Sequence, residues 1–131
     1  MIKIINVLIA FIIIAVLAAC GAAGSDPASL TAKDAGTTVH LKQGDTLEIA
    51  LEGNPTTGYT WEVAPDSGEL VALQGEPQFK ADTSALGSGG VMTLQFKAVK
   101  PGTAPLKLIY HRTFEAGVAP LQSFEVILVV Q

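Results

Sequence analysis

Apolar and polar residues alternate with a period of two in three segments of the chain, 46–52 (TLEIALE), 91–98 (VMTLQFKA) and 105–111 (PLKLIYH). Because successive side chains of a strand point to opposite faces, the alternation predicts strands with one buried and one solvated face, as in antiparallel sheets. A fourth segment, 123–130 (SFEVILVV), is apolar on both faces over much of its length. We therefore expect this last strand to lie in the centre of a sheet.

Turn signals separate these strands at short intervals, and no sequence stretch after the first twenty residues keeps a helical period for three turns. Many short strands with such spacing indicate an all-β sandwich or barrel. The single tryptophan, Trp61, lies in a short strand (YTWEV). A buried tryptophan on a central strand is a frequent core anchor of immunoglobulin-like sandwiches. We expect Trp61 to pack in the core rather than to bind a ligand.

The N-terminal segment 1–19 has the features of a secretory signal peptide. Lys3 is followed by a nearly unbroken apolar run and by small residues before Cys20. The ending LAAC resembles the lipobox of bacterial lipoproteins, which implies cleavage before Cys20 and acylation of that cysteine. The alternative is an uncleaved membrane anchor with an incidental cysteine, although the apolar run is short for a span of about 20 residues. Either reading predicts an exported protein tethered to a membrane.

The small, polar segment that follows, up to residue 36, predicts a flexible tether, so that 20–36 links the lipid to a folded domain over 37–131. Cys20 is the only cysteine, so the domain has no disulfide and must rely on its apolar core. The predicted location is the bacterial cell envelope, facing the periplasm or the exterior. Gly21 is not the aspartate that retains lipoproteins in the inner membrane, which favours the outer membrane if the cell has one.

Charge and motif content argue against two classes of function. Without Lys3, seven basic and twelve acidic side chains remain, which does not suit a nucleic-acid partner. The two histidines, His40 and His111, belong to no HExxH motif, Cys-His pair or nucleophile elbow. We therefore expect no enzyme, no cofactor and no metal site, and we expect His111 to be a solvent-facing strand residue. A monomer is expected.

Three unusual loops are expected at one end of the sandwich. An even number of strands separates the loop 53–59 from the loop 86–90, and the same holds between 86–90 and 112–121. In an antiparallel meander or Greek key, such loops emerge together and form a composite binding edge.

The content of these loops suits binding. In the first loop, Pro55 restricts the backbone and Gly58 can take positive φ, which predicts a preorganised turn. The second is rich in glycine, although GSGG alone is usually a hairpin turn. The third places Arg112 beside Phe114, an anchor pair typical of interfaces, although Phe114 could instead cap the core.

The motif NPTTGY followed by TW, then Gly-x-Gly-Gly, then Arg-x-aromatic, resembles the chagasin family of cysteine peptidase inhibitors over about residues 37–131. The resemblance implies an immunoglobulin-like antiparallel β-sandwich and reversible, competitive inhibition of papain-like cysteine peptidases. Residues 54–59 would cover the catalytic cysteine, 87–90 would line one side of the cleft, and Arg112 with Phe114 would cover the other. The implied peptidase-binding residues are Asn54, Pro55, Thr56, Thr57, Gly58, Tyr59, Gly87, Ser88, Gly89, Gly90, Arg112 and Phe114.

The third motif departs from the family, which usually has Arg-Pro-Trp where this chain has Arg112, Thr113 and Phe114. Phenylalanine offers less stacking area than tryptophan and no indole donor. We expect inhibition that is weaker, or directed at different peptidases, than with the full motif. The alternative function is that of a non-inhibitory, immunoglobulin-like binding lipoprotein of the cell envelope, which would share every feature of the fold.

Overall fold

The computed structural model describes residues 26–131, which form nine strands and two short 3₁₀ turns. The strands are β1 (Ala28–Thr31), β2 (Thr38–Leu41), β3 (Thr46–Gly53), β4 (Tyr59–Val63), β5 (Val71–Leu73), β6 (Gln78–Ala81), β7 (Gly90–Ala98), β8 (Gly102–Arg112) and β9 (Gln122–Val130). The 3₁₀ turns span Ala32–Asp34 and Pro55–Thr57. The predicted signal peptide 1–19 and Cys20 lie outside the described residues.

Two sheets pack face to face as an immunoglobulin-like β-sandwich, which confirms the predicted fold class. The first sheet has the order β1-β3-β7, and both β5 and β6 pair with the far edge of β7. The second has the order β2-β9-β8-β4, so β9 is central, as predicted. The fully buried side chains between the sheets come from the alternating positions of the strands: Leu47, Ile49, Leu94, Phe96, Leu106, Leu108, Val126 and Leu128.

Trp61 joins the two sheets from inside the core, as the sequence predicts. Its side chain is only 3% exposed, and its indole Nε1 donates a hydrogen bond to the Glu52 carbonyl oxygen at 2.9 Å. Because Glu52 belongs to β3 and Trp61 to β4, this bond fixes the spacing of the sheets close to the loop between these two strands.

The predicted flexible tether over 20–36 is wrong for residues 28–34. Strand β1 pairs in parallel with β3, and its Leu30 side chain is 8% exposed within the core. The following 3₁₀ turn is closed by a capping box between Thr31 and Asp34. A four-residue strand is too short to reveal a period of two, so the sequence pattern missed it. The folded domain therefore begins before residue 37.

The sandwich is also not purely antiparallel. Besides the β1–β3 pair, β2 pairs in parallel with β9, whereas the remaining pairs are antiparallel. Among residues 26–131, no helix is long and apolar enough to cross a membrane.

Candidate functional site

The three predicted loops meet at one end of the sandwich. Strand β3 ends where β7 begins, since Gly53 pairs with Gly90. Strand β4 begins where β8 ends, since Tyr59 pairs with Arg112. We call the connections 54–58, 82–89 and 113–121 the first, second and third loop, and together they form the loop edge. The strand-parity prediction that they share one end is confirmed.

The first loop is a capped 3₁₀ turn. Asn54 is its N-cap, and its Oδ1 accepts hydrogen bonds from the Thr56 amide, at 3.2 Å, and from the Thr56 hydroxyl. Pro55 occupies the first turn, where a missing amide hydrogen costs nothing. The Thr57 hydroxyl donates to the Asn54 carbonyl at 2.7 Å. Gly58 ends the turn with φ of 84°, a left-handed conformation that favours glycine.

Asn54 also links the first loop to its neighbours. Its Nδ2 donates to the Gly87 carbonyl of the second loop at 2.9 Å. Its backbone amide donates to the Tyr110 hydroxyl of β8 at 2.8 Å. One residue therefore connects the first loop to the second loop and to the opposite sheet.

In the second loop, the glycines differ in their surroundings. Gly87 is exposed and has φ of 76°, whereas Ser88 and Gly89 are half-buried. Gly90 is buried in β7, where an added Cβ would lie 2.0 Å from the Lys80 carbonyl oxygen of β6. Gly90 thus allows the close approach of β6 and β7 rather than forming loop surface. Leu86, at the tip, is fully exposed.

Arg112 joins the third loop to the first. Its Nε donates to the Thr57 carbonyl at 3.0 Å, and a terminal guanidinium nitrogen lies 2.9 Å from Glu115 Oε1. Its guanidinium carbon lies 4.5 Å from the centroid of the Tyr59 ring, within cation–π range. The hydrogen bond that Arg112 donates to Glu115 raises the pKa of Arg112 above its ordinary value.

Phe114 projects from the third loop into solvent, with 73% of its surface exposed, so the alternative that it caps the core is excluded. The edge of its ring lies over the first loop, since a Cβ added to Gly58 would lie 3.1 Å from Phe114 Cε1. Val118 and Leu121 of the same loop are also largely exposed. Sequence reasoning did not single out these two side chains or Leu86.

An aromatic column connects the loop edge to the core. The rings of Tyr59 and Tyr110 stack with centroids 5.2 Å apart, and those of Tyr110 and Trp61 lie 5.1 Å apart. Tyr110 is 5% exposed. The sequence analysis assigned no site role to Tyr110 or Glu115. Their spacing from Asn54 and Arg112 gives no motif that would have found them.

His111 lies on the outer face of β8, as predicted, but it is partly covered. Its side chain is 23% exposed, and its Nε2 lies 2.7 Å from Glu62 Oε2 on the neighbouring strand.

Across residues 26–131, no group of three His, Cys, Asp or Glu side chains is arranged to hold a metal ion. The loop edge itself is neutral at its tip, since the first loop carries no titratable side chain.

Comparisons with known proteins agree with this geometry. The model of the chagasin family of peptidase inhibitors, I42, matches residues 40–128. The chain is 31% identical over 103 residues to amoebiasin-2 of Entamoeba histolytica, covering 78% of this chain and 84% of the relative. It is 28% identical over 97 residues to chagasin of Trypanosoma cruzi, covering 71% and 88% of the two chains.

The fold is also similar to a crystal structure of a cysteine protease inhibitor from Entamoeba histolytica. The TM-score is 0.62 at 32% identity, with coverage of 79% of this chain and 94% of that chain. The matched family comprises peptidase inhibitors rather than enzymes, which confirms the expectation that the chain is not an enzyme. The chain belongs to the chagasin family of peptidase inhibitors.

Proposed function

We propose that this protein is a reversible, competitive inhibitor of papain-like cysteine peptidases, inserting the loops at 54–59, 87–90 and 112–114 into the active-site cleft. The observation that carries the proposal is the loop edge, in which hydrogen bonds join three loops from both sheets. Preformed binding surfaces lose little conformational entropy on association. The family membership and the named relatives support inhibition as the activity.

The first loop is suited to cover a catalytic cysteine without being cleaved. Its backbone forms a 3₁₀ turn rather than an extended strand. The carbonyl oxygens of Pro55 and Thr57 accept hydrogen bonds from the Gly58 amide and from Arg112 Nε. These carbonyls are therefore engaged inside the inhibitor and are poorly available to an oxyanion hole.

The flanking loops supply apolar contact area. Phe114 on one side and Leu86 on the other are the most exposed large apolar side chains of the described residues. Aromatic side chains that become buried in an interface often dominate its binding energy. We propose that the two side chains contact the walls of the cleft on either side of the first loop.

We further propose that the protein acts as a monomer and is anchored in the bacterial cell envelope by a lipid on Cys20. The signal-like segment 1–19 and the LAAC sequence support the anchor. Multiple acyl chains hold a protein to a bilayer much more firmly than a single chain. Incorporation of labelled palmitate into the wild-type protein, and not into a Cys20→Ser variant, tests this part.

Substitution of Thr57 tests the proposed function. Thr57 is exposed at the tip of the first loop, so Thr57→Arg places a long, charged side chain between the loop and the cleft. We expect inhibition of papain to be lost. The matched control is Thr103→Arg, which adds the same side chain at an exposed position at the opposite end of β8 and is expected to inhibit as well as the wild type.

Both variants are first compared with the wild type by Trp61 fluorescence, so that a folding defect is recognised. If folded Thr57→Arg inhibited papain as well as the wild type, the assignment of the first loop to the cleft would be wrong. The alternative of a non-inhibitory binding lipoprotein would then be favoured.

A further inference from the structure

The hydrogen bonds of Asn54 are made within the protein itself. Its backbone amide, its backbone carbonyl, its Oδ1 and its Nδ2 each have an internal partner. A peptidase that bound the same atoms of Asn54 would have to compete with these internal bonds. The motif residue with the richest hydrogen-bonding capacity is therefore directed into the inhibitor.

Arg112 is engaged in the same way. Its guanidinium stacks on Tyr59, donates to the Thr57 carbonyl and pairs with Glu115, and only 34% of its side chain is exposed. The neighbouring Phe114 is 73% exposed. Of the pair expected to anchor the partner, the phenylalanine is free to do so, whereas the arginine holds the first and third loops together.

Tyr110 completes this arrangement from below. Its hydroxyl accepts the Asn54 amide, and its ring lies between Tyr59 and Trp61. At 5% exposure, Tyr110 cannot reach a bound protein. Any effect of its hydroxyl on inhibition must therefore act through the first loop.

We propose that Asn54 and Arg112 are positioning residues rather than peptidase contacts, and that with Tyr110 and Glu115 they lock the three loops into one rigid unit before a peptidase arrives. This inference rests on the proposed function for its effect on inhibition, but not for its effect on the free protein. If the binding-competent arrangement is only partly populated, the apparent affinity is the intrinsic affinity multiplied by the populated fraction.

Amide exchange in the free, full-length protein, purified in mild detergent and followed by NMR, tests the lock without a peptidase. Four amides of the first loop report on it: Asn54, Thr56, Thr57 and Gly58, each of which donates within the structure. We expect these amides to exchange about tenfold faster in Tyr110→Phe and Arg112→Lys. Arg112→Lys keeps the charge but not the planar donor geometry.

Two other variants provide the contrast. Phe114→Ala removes the proposed contact, and we expect unchanged exchange in the first loop. Lys100→Gln removes a positive charge from the turn between β7 and β8, at the opposite end of the sandwich, and should alter neither exchange nor inhibition. Unchanged exchange in both Tyr110→Phe and Arg112→Lys would overturn the proposal.

Association and dissociation rates with papain supply the second arm. We expect Tyr110→Phe and Arg112→Lys to associate about twofold more slowly with little change in dissociation, because a smaller fraction of the molecules is competent to bind. Phe114→Ala should instead dissociate faster. If Arg112→Lys dissociated faster and left exchange unchanged, Arg112 would be a direct contact and the proposal would be wrong.

The two arms separate this inference from the proposed function. If the wild-type protein did not inhibit papain while the exchange differences appeared, the proposed function would fail and the lock would stand. If the wild type inhibited papain while Tyr110→Phe matched it in both exchange and association, the lock would fail and the function would stand.

Discussion

Gly58 shows how a single position serves both the conformation and the surface of the loop edge. Its φ of 84° favours glycine, and an added Cβ would lie 3.1 Å from the Phe114 ring, which would have to shift slightly. Gly44 has a similar φ of 94° in the turn between β2 and β3, but an added Cβ would meet nothing within 4 Å. The two glycines therefore separate the cost of the backbone conformation from the cost of displacing Phe114.

We predict that Gly58→Ala and Gly44→Ala each lower the free energy of unfolding by about 1–2 kcal/mol, since both force alanine into the left-handed region. Only Gly58→Ala should also weaken papain inhibition, by about tenfold or more, because it moves Phe114 and alters the end of the turn. Urea unfolding and steady-state inhibition measure the two effects. Equal inhibition by both variants would contradict the role given to the Gly58–Phe114 contact.

At the scale of elements, β1 extends the folded domain beyond the alternating strands. Its Leu30 is 8% exposed and packs with the core, whereas Leu73 of β5 is 40% exposed. We predict that Leu30→Ala lowers the free energy of unfolding by about 2–3 kcal/mol, as for other buried leucines. Leu73→Ala, the matched control, should cost no more than about 1 kcal/mol. If urea unfolding showed equally small losses of the free energy of unfolding in both variants, residues 28–34 would be a tether rather than part of the fold.

The strands that the sequence predicted well are those whose pattern is long enough to read. Residues 46–52 and 91–98 alternate between core-facing and outward-facing positions over most of their length, and both form paired strands of the first sheet. Strand β1 has four residues and pairs in parallel. Neither an alternating pattern nor a hairpin turn in the sequence therefore indicates a strand there. Short strands owe their existence to the sheet edge that receives them, which local sequence does not encode.

The loop edge was predictable in its location but not in its internal bonds. Strand parity and the NPTTGY motif identified the three loops. The bond from Arg112 to Thr57 joins residues 55 positions apart, and that from Asn54 to Gly87 joins residues 33 apart. Such contacts depend on how the two sheets are stacked, which follows only from the complete fold. For this reason Arg112 and Asn54 were expected to face a partner, whereas both are engaged within the inhibitor.

At the scale of the whole molecule, the sandwich supports one hydrogen-bonded loop edge whose first loop carries no charge. The core extends from Leu30 to Val130 across both sheets, and the aromatic column of Trp61, Tyr110 and Tyr59 connects it to the loops. An inhibitor of this kind should block substrate entry without taking part in chemistry.

The most direct test of the proposed function is the steady-state hydrolysis of a peptide substrate by papain in the presence of the full-length protein, with trypsin as the serine peptidase control. We predict that the protein raises the apparent KM of papain without lowering kcat, leaves trypsin unaffected, and is recovered uncleaved. Absence of papain inhibition, with the fold verified by Trp61 fluorescence, would contradict this account.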